Sequence, residues 1–225
     1  MSLICELARQ DALVQDLPAA QDWLSASELQ RLDGFNHPQR RASFLAGRRL
    51  MRLALARWPG LSQPRLIVDE QGRSHVEDRP DLCLSISHSG AWVACVVADA
   101  PLGLDIEDTG RSRDFAALAE LVHSPAQCQA IQAAPSAAER ARQFYQWWTL
   151  KEAWFKRQGL GLDMARMPQL SYEPSPSAGS AVCCLLPHIG LLLALDGPAC
   201  AHSRLPSELA GMAPVWCRFD YATAR

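Results

Sequence analysis

The sequence predicts an α+β fold, with helices and strands mixed in each half of the chain. Three observations carry this. Segments at about residues 38–57 and 140–158 repeat apolar residues at helical spacing, one in each half. Short apolar runs bounded by Gly, Pro or Ser read as strands, and they also occur in both halves. The chain has 225 residues, enough to bury a real core as one large domain or two small ones. A seam falls near residues 101–110. The expected division is 1–103 and 104–225, two similar lobes, with the last strand returning to the first lobe.

Taken in order, residues 3–8 read as a first strand. Ser25-x-x-Glu28 is a capping box that opens a short helix. Pro38 suits a first helical position, and helix 38–57 follows. Its apolar side is Phe44, Gly47, Met51, Ala54, Leu55 and Trp58, with Arg41, Arg48 and Arg52 along a flank and Arg40 one residue away. Pro59-Gly60 ends it. Leu66–Val68 is a strand and Gln71-Gly72-Arg73 a turn. Residues 82–87 form a strand that ends in a turn at His88-Ser89-Gly90. Residues 91–98 are nearly all apolar, the mark of a strand buried on both faces. Residues 103–107 are a third strand. Residues 113–135 are Ala-rich and helical, with Pro125 opening a second piece. Helix 140–158 ends at Gly159. Residues 171–180 are a Pro/Ser/Gly-rich turn region. Val182–Leu186 and Leu191–Leu195 form a hairpin around His188-Ile189-Gly190, and Val215–Tyr221 is the last strand.

Composition excludes several classes. Charged residues make up 20% and the net charge is -2, so nothing points to nucleic acid or a membrane surface. The charge is uneven: Arg31 to Arg79 holds ten Arg against five acids, which suits a small anionic ligand. The eight Cys show neither zinc spacing nor a compact disulfide framework, so reduced thiols and a cytoplasmic protein are expected. Residues 1–11 lack the long apolar core of a signal peptide, and no stretch is apolar enough to span a bilayer.

The chemistry gathers around Trp147–Lys156. This stretch holds both lysines of the chain, Lys151 and Lys156. Phe144, Trp147, Trp148, Trp154 and Phe155 share one face, expected to be buried. Glu152 and Lys156, four apart, share another and can reach one ligand. Lys151 projects into the apolar stripe and must snorkel or find an anion. On the strand at 103–107, Asp105 and Glu107 present two carboxylates on one face. Their repulsion calls for a cation, and hard oxygen donors beside phosphate favour Mg²⁺. An exposed strand edge and an ordinary amphipathic helix are the other readings of these stretches taken alone. Ser87-His88-Ser89 offers hydroxyls and an imidazole to a phosphate. It also allows a rival, a hydrolase with Ser87 or Ser89 as nucleophile, His88 as base and Asp105 as orienter. The stretch lacks the G-x-S-x-G elbow, and adjacent Ser and His face each other poorly.

Three motifs in order carry a family resemblance: Ile86-Ser87-His88-Ser89, Gly103-Leu104-Asp105-Ile106-Glu107, and Trp148-Thr149-Leu150-Lys151-Glu152-Ala153-Trp154-Phe155-Lys156. With Phe44-Leu45-Ala46-Gly47-Arg48 and the Gly72-Arg73 turn, residues 28–165 resemble the larger, monomeric 4′-phosphopantetheinyl transferases that prime peptide and polyketide synthases. The resemblance implies two pseudo-twofold-related α+β lobes with coenzyme A in the cleft between them. It implies Mg²⁺ (Mn²⁺ as substitute) on Asp105, Glu107 and Glu152, with Glu152 as metal ligand or base. Lys156 would meet the pyrophosphate beside Lys151, and His88 and Ser87 the 3′-phosphate. Arg40 and Arg48 would meet nucleotide phosphates, with Arg41 as the alternative to Arg40. Arg73 stands where the family has Lys, and Gln127 where a further acid is common. The implied reaction moves phosphopantetheine from coenzyme A to a serine of an apo acyl or peptidyl carrier protein, releasing 3′,5′-ADP. A non-catalytic coenzyme A or nucleotide binder on the same scaffold is the alternative.

Overall fold

The computed structural model describes residues 2–111, 113–175, 179–186, 189–197 and 215–223. The chain runs β1 (Leu3–Arg9), α1 (Gln10–Val14), α2 (Ala26–Asp33), α3 (Pro38–Ala56), β2 (Leu66–Val68), β3 (Ser74–Val76), β4 (Cys83–Ser89), β5 (Trp92–Ala98) and β6 (Gly103–Asp108). It continues with α4 (Phe115–Val122), α5 (Pro125–Ala133), α6 (Ala137–Gln158), β7 (Leu170–Pro174), β8 (Ala181–Leu186), β9 (Leu191–Asp196) and β10 (Val215–Thr223). The α+β class holds.

Local chemistry sets the helix ends. Ser25 and Glu28 close the capping box of α2 in both directions. Pro38 opens α3, and His37 Nδ1 accepts from the Gln39 N–H. Ser136 caps α6, three residues earlier than periodicity predicts. Gly159 ends it in the left-handed conformation, φ 65°, where a side chain would be strained.

The sheets are antiparallel, in the orders β1-β5-β4 and β6-β9-β8-β10-β7, with β2-β3 a small ribbon. Strand β5 shows why its run is apolar throughout. Val93, Cys95 and Val97 pack with Leu50, Met51, Ala54 and Leu55 of α3. Ala94, Val96 and Ala98 face the other way, onto Leu104 and Ile106 of β6 and Leu193 and Leu195 of β9. The five-stranded sheet turns its far face to α4 and α6, where Ala181, Cys183, Leu192 and Ala194 meet Phe144, Leu150 and Phe155. The result is four layers, helix–sheet–sheet–helix, with apolar contact at every boundary.

Several expectations need correction. The last strand does not return to the first sheet: β10 sits between β8 and β7, pairing Cys217 with Cys183 and Tyr221 with Tyr172. Residues 170–174 are a strand because β10 supplies a partner that local composition does not reveal. His88 and Ser89 continue β4 rather than turn, since each pairs with β5. Trp147 and Trp148 are half-buried, at the margin of the core that Phe144, Trp154 and Phe155 enter. His188, expected in the β8–β9 turn, and 176–178 of the expected turn region lie outside the described residues. Among the described residues, no helix is long and apolar enough to cross a membrane.

Candidate active site

The site forms where β6, an edge strand, runs under α6. Gly103 makes the approach possible. A Cβ there would stand 1.8 Å from the Ala153 carbonyl oxygen and 2.7 Å from the Arg157 nitrogen. Leu104 and Ile106 enter the core between the sheets, so strand alternation sends Asp105 and Glu107 to the other face. From α6, Glu152 and Lys156 come down one turn apart on the same side.

Asp105 is the centre, 2% exposed. Its Oδ1 accepts from Lys156 Nζ at 2.7 Å and from Ser87 Oγ at 2.7 Å. Its Oδ2 is buried with no hydrogen-bond partner. Glu107 Oε2 accepts from Ser89 Oγ at 2.7 Å, and Oε1 from Trp148 Nε1 at 3.0 Å. Burial and then the Asp105 charge push the Glu107 carboxyl up, against the pull of Ser89, Trp148 and Arg111. Glu152 is pushed well above the usual carboxylate range, first by burial, then by the charge of Asp105, with Lys156 opposing. Asp105, Glu107, Glu152 and Lys156 therefore lie together.

Three crowded carboxylates, one ammonium and a buried acceptor without a partner suit a hard divalent cation. Among the described residues, no group of three or more His, Cys, Asp or Glu side chains stands placed to hold a metal ion, so Asp105, Glu107 and Glu152 do not form a ready-made site. Gln127 adds nothing to it. Its Oε1 accepts from the Ser124 N–H in the α5 capping box and from Lys151 Nζ.

Beside the carboxylates opens a cleft of ≈ 820 Å³, whose wall includes Arg40, Arg48, Arg73, His88 and Lys156. His88 is exposed on the cleft wall. Surrounding protein and then the Lys156 charge lower its pKa, and Arg40 acts in the same sense. Arg40 is exposed to the cleft, whereas Arg41 Nη1 is spent on the Leu32 carbonyl at 2.7 Å. Arg48 lies over the Phe44 ring and donates to Ser74 Oγ. Its Nε is 3.7 Å from Glu28 Oε1, and Glu28 also takes a bidentate pair from Arg52 at 3.0 and 2.6 Å. Arg73 pairs with Asp69 at 2.9 Å.

Two expected ligand contacts are corrected. Lys151 is 0% exposed and points away from the cleft. Its Nζ donates to the Val122 carbonyl at 2.8 Å and Gln127 Oε1 at 2.9 Å, and lies 3.1 Å from His123 Nδ1. Burial pulls this ammonium down to about 7. It finds neutral acceptors, not an anion. Ser87 is buried, its hydroxyl proton committed to Asp105 rather than turned to the cleft. His88 points to the opposite face of β4 from Ser87 and Ser89, which removes the Ser/His/Asp hydrolase. Sequence reasoning also missed Arg31 and Arg157 on the cleft wall. Arg31 was visible as part of the Arg-rich first half. Arg157, held 2.7 Å from Asp196, had no local signal.

Comparison with known proteins bears on this arrangement. The model for the 4′-phosphopantetheinyl transferase N-terminal domain matches residues 36–98, and that for the 4′-phosphopantetheinyl transferase superfamily matches residues 101–190. A 4′-phosphopantetheinyl transferase of Bacillus subtilis is 31% identical over 143 residues, 63% of this chain and 62% of that protein. The 4′-phosphopantetheinyl transferase HetI of Nostoc sp. is 28% identical over 178 residues, 76% of this chain and 73% of that protein. The 4′-phosphopantetheinyl transferase Sfp of Bacillus subtilis strain 168 is 30% identical over 144 residues, 63% of each. The two matched segments lie in succession along the chain, one carrying α3 and β4 and the other carrying β6 and α6, and on them the chain belongs to the 4′-phosphopantetheinyl transferase superfamily.

Proposed function

We propose that this chain transfers the 4′-phosphopantetheine group of coenzyme A to a serine hydroxyl of an apo acyl or peptidyl carrier protein, releasing 3′,5′-ADP. The observation that carries the reading is the meeting of Asp105, Glu107, Glu152 and Lys156, with Lys156 itself part of the wall of an arginine-lined cleft. The relatives' names support the same activity. Coenzyme A brings concentrated negative charge, and the cleft offers Arg40, Arg48, Arg73 and His88 to its phosphates. The proposed division at residues 103 and 104 leaves these groups on one side and the carboxylates on the other.

Asp105 and Glu107 are the residues that would hold Mg²⁺, with Glu152 in reach of them. When bound, the ion supplies neutralisation of charge at the pyrophosphate. Lys156, 30% exposed at its side chain, lines the cleft with its ammonium on Asp105, and offsets charge that builds on phosphate oxygens during transfer. Glu152 takes the proton of the attacking serine; a cation on Asp105 and Glu107 would offset the carboxylate charge that, with burial, keeps Glu152 protonated, and so would free it to act as the base. Ser89 and Trp148 keep Glu107 oriented.

The test is intact mass of an apo carrier protein incubated with the chain, coenzyme A and Mg²⁺. A phosphopantetheine adduct is expected. Asp105→Ala and Lys156→Ala are each expected to lose about 100-fold or more in rate while staying folded. No adduct on any of several apo carriers overturns the reading. Coenzyme A binding that ignores Mg²⁺, with no transfer, favours the non-catalytic binder.

A further inference from the structure

Strands β4 and β6 are edges of different sheets, so their backbones do not pair. Serines bridge them instead. Ser85, Ser87 and Ser89 alternate along one face of β4. Ser85 Oγ accepts from the Leu104 N–H at 3.1 Å. Ser87 Oγ donates to Asp105 Oδ1 at 2.7 Å. Ser89 Oγ donates to Glu107 Oε2 at 2.7 Å and accepts from the Asp108 N–H at 3.0 Å. A hydroxyl has one proton to give, and these two are given to the two carboxylates of β6. We propose that Ser87 and Ser89 are positioning residues that fix the carboxylates of Asp105 and Glu107 for a divalent cation, with Ser85 setting the register of the two strands.

The geometry supports a division of lone pairs. Ser87 and Lys156 occupy Oδ1 of Asp105, and that leaves the buried Oδ2 as its unpartnered acceptor. Ser89 and Trp148 hold opposite oxygens of Glu107, which blocks rotation of its carboxylate. Partners of this kind commonly change metal affinity 10- to 100-fold, because a ligand free to rotate must be ordered on binding. The proposal rests on the metal reading above, and its test separates the two.

Mn²⁺ is titrated into the chain, with and without coenzyme A, and free Mn²⁺ is followed by electron paramagnetic resonance. Ser87→Ala and Ser89→Ala are each expected to weaken Mn²⁺ binding about 10-fold or more. In turnover assays the apparent KM for Mg²⁺ rises more than kcat falls. Ser85→Ala, which loses a bond to backbone and touches neither carboxylate, lowers thermal stability and weakens Mn²⁺ binding less than Ser87→Ala or Ser89→Ala. Ser87→Thr and Ser87→Val are close in shape and differ by the hydroxyl. They repeat the comparison should alanine unfold the chain, and threonine is expected to retain affinity. If Asp105→Ala abolishes Mn²⁺ binding while Ser87→Ala, Ser87→Val and Ser89→Ala bind like the unaltered chain, the positioning role is overturned and the metal reading stands. If the unaltered chain binds no Mn²⁺ even with coenzyme A, both fall.

Discussion

Gly103→Ala tests the geometry from which the site is built. The added methyl would lie 1.8 Å from the Ala153 carbonyl oxygen, 2.7 Å from the Arg157 nitrogen and 2.8 Å from the Ala153 carbonyl carbon. All three are backbone atoms of α6, so no rotamer change relieves the clash. Ordinary contact begins at 3.4 Å, so strand and helix must part by about 1.6 Å along that line. A like separation carries the 2.7 Å Lys156–Asp105 bond beyond hydrogen-bonding range. The expected cost is about 1 to 3 kcal/mol, the range for overpacking a well-filled interior. Urea unfolding measures the cost, and carrier modification measures the damage to the site. Gly34→Ala is the control, since a Cβ there meets only the Arg31 carbonyl oxygen, at an ordinary 3.4 Å. A Gly103→Ala chain with unaltered stability and rate would refute the claim that close approach of β6 and α6 assembles the site.

Three further outcomes are expected. Glu28→Ala strips a fully buried carboxylate from Arg52, Arg48 and the α2 cap, and should cost about 3 to 5 kcal/mol by denaturant titration. Lys151→Met should leave coenzyme A affinity unchanged by calorimetry, because the ammonium faces Val122, His123 and Gln127 rather than the cleft. Its melting temperature should change, since three buried acceptors lose a donor. Asp196 is raised to about 6 by burial, against Arg157 on α6 and Tyr172 on β7. A raised carboxyl binds its proton more tightly in the folded state. Its contribution to stability is therefore present below the ordinary value of 3.8 and is lost as pH rises through about 6. Asp196→Asn should flatten that segment of the stability–pH curve, read from unfolding at pH 4, 5, 6 and 7.

The legible parts of the molecule were those whose causes are local. The Ser25–Glu28 box, Pro38 at a helix start and Gly159 at a helix end each act within a few residues. Strand alternation placed Asp105 and Glu107 together, and four-residue spacing placed Glu152 with Lys156. The misread parts depend on distant partners. The spacing sends Lys151 into the apolar stripe, but the groups that receive it lie 24 to 29 residues earlier. Ser87 reads as a phosphate ligand until its hydroxyl is found on Asp105, 18 residues on. Strand β7 is invisible in a Pro/Ser-rich stretch because β10, far along the chain, makes it a strand.

The four-layer stacking has a consequence for how the molecule can change. Arg40 and Arg48 ride on α3, which packs against one side of β5, while Asp105 and Glu107 belong to β6, two layers away, and Glu152 and Lys156 to α6, three layers away. Substitutions that recontour the arginine wall are absorbed in one core, and the acidic corner keeps its spacing. Such a chain can be retuned for what it grips without relearning how it reacts.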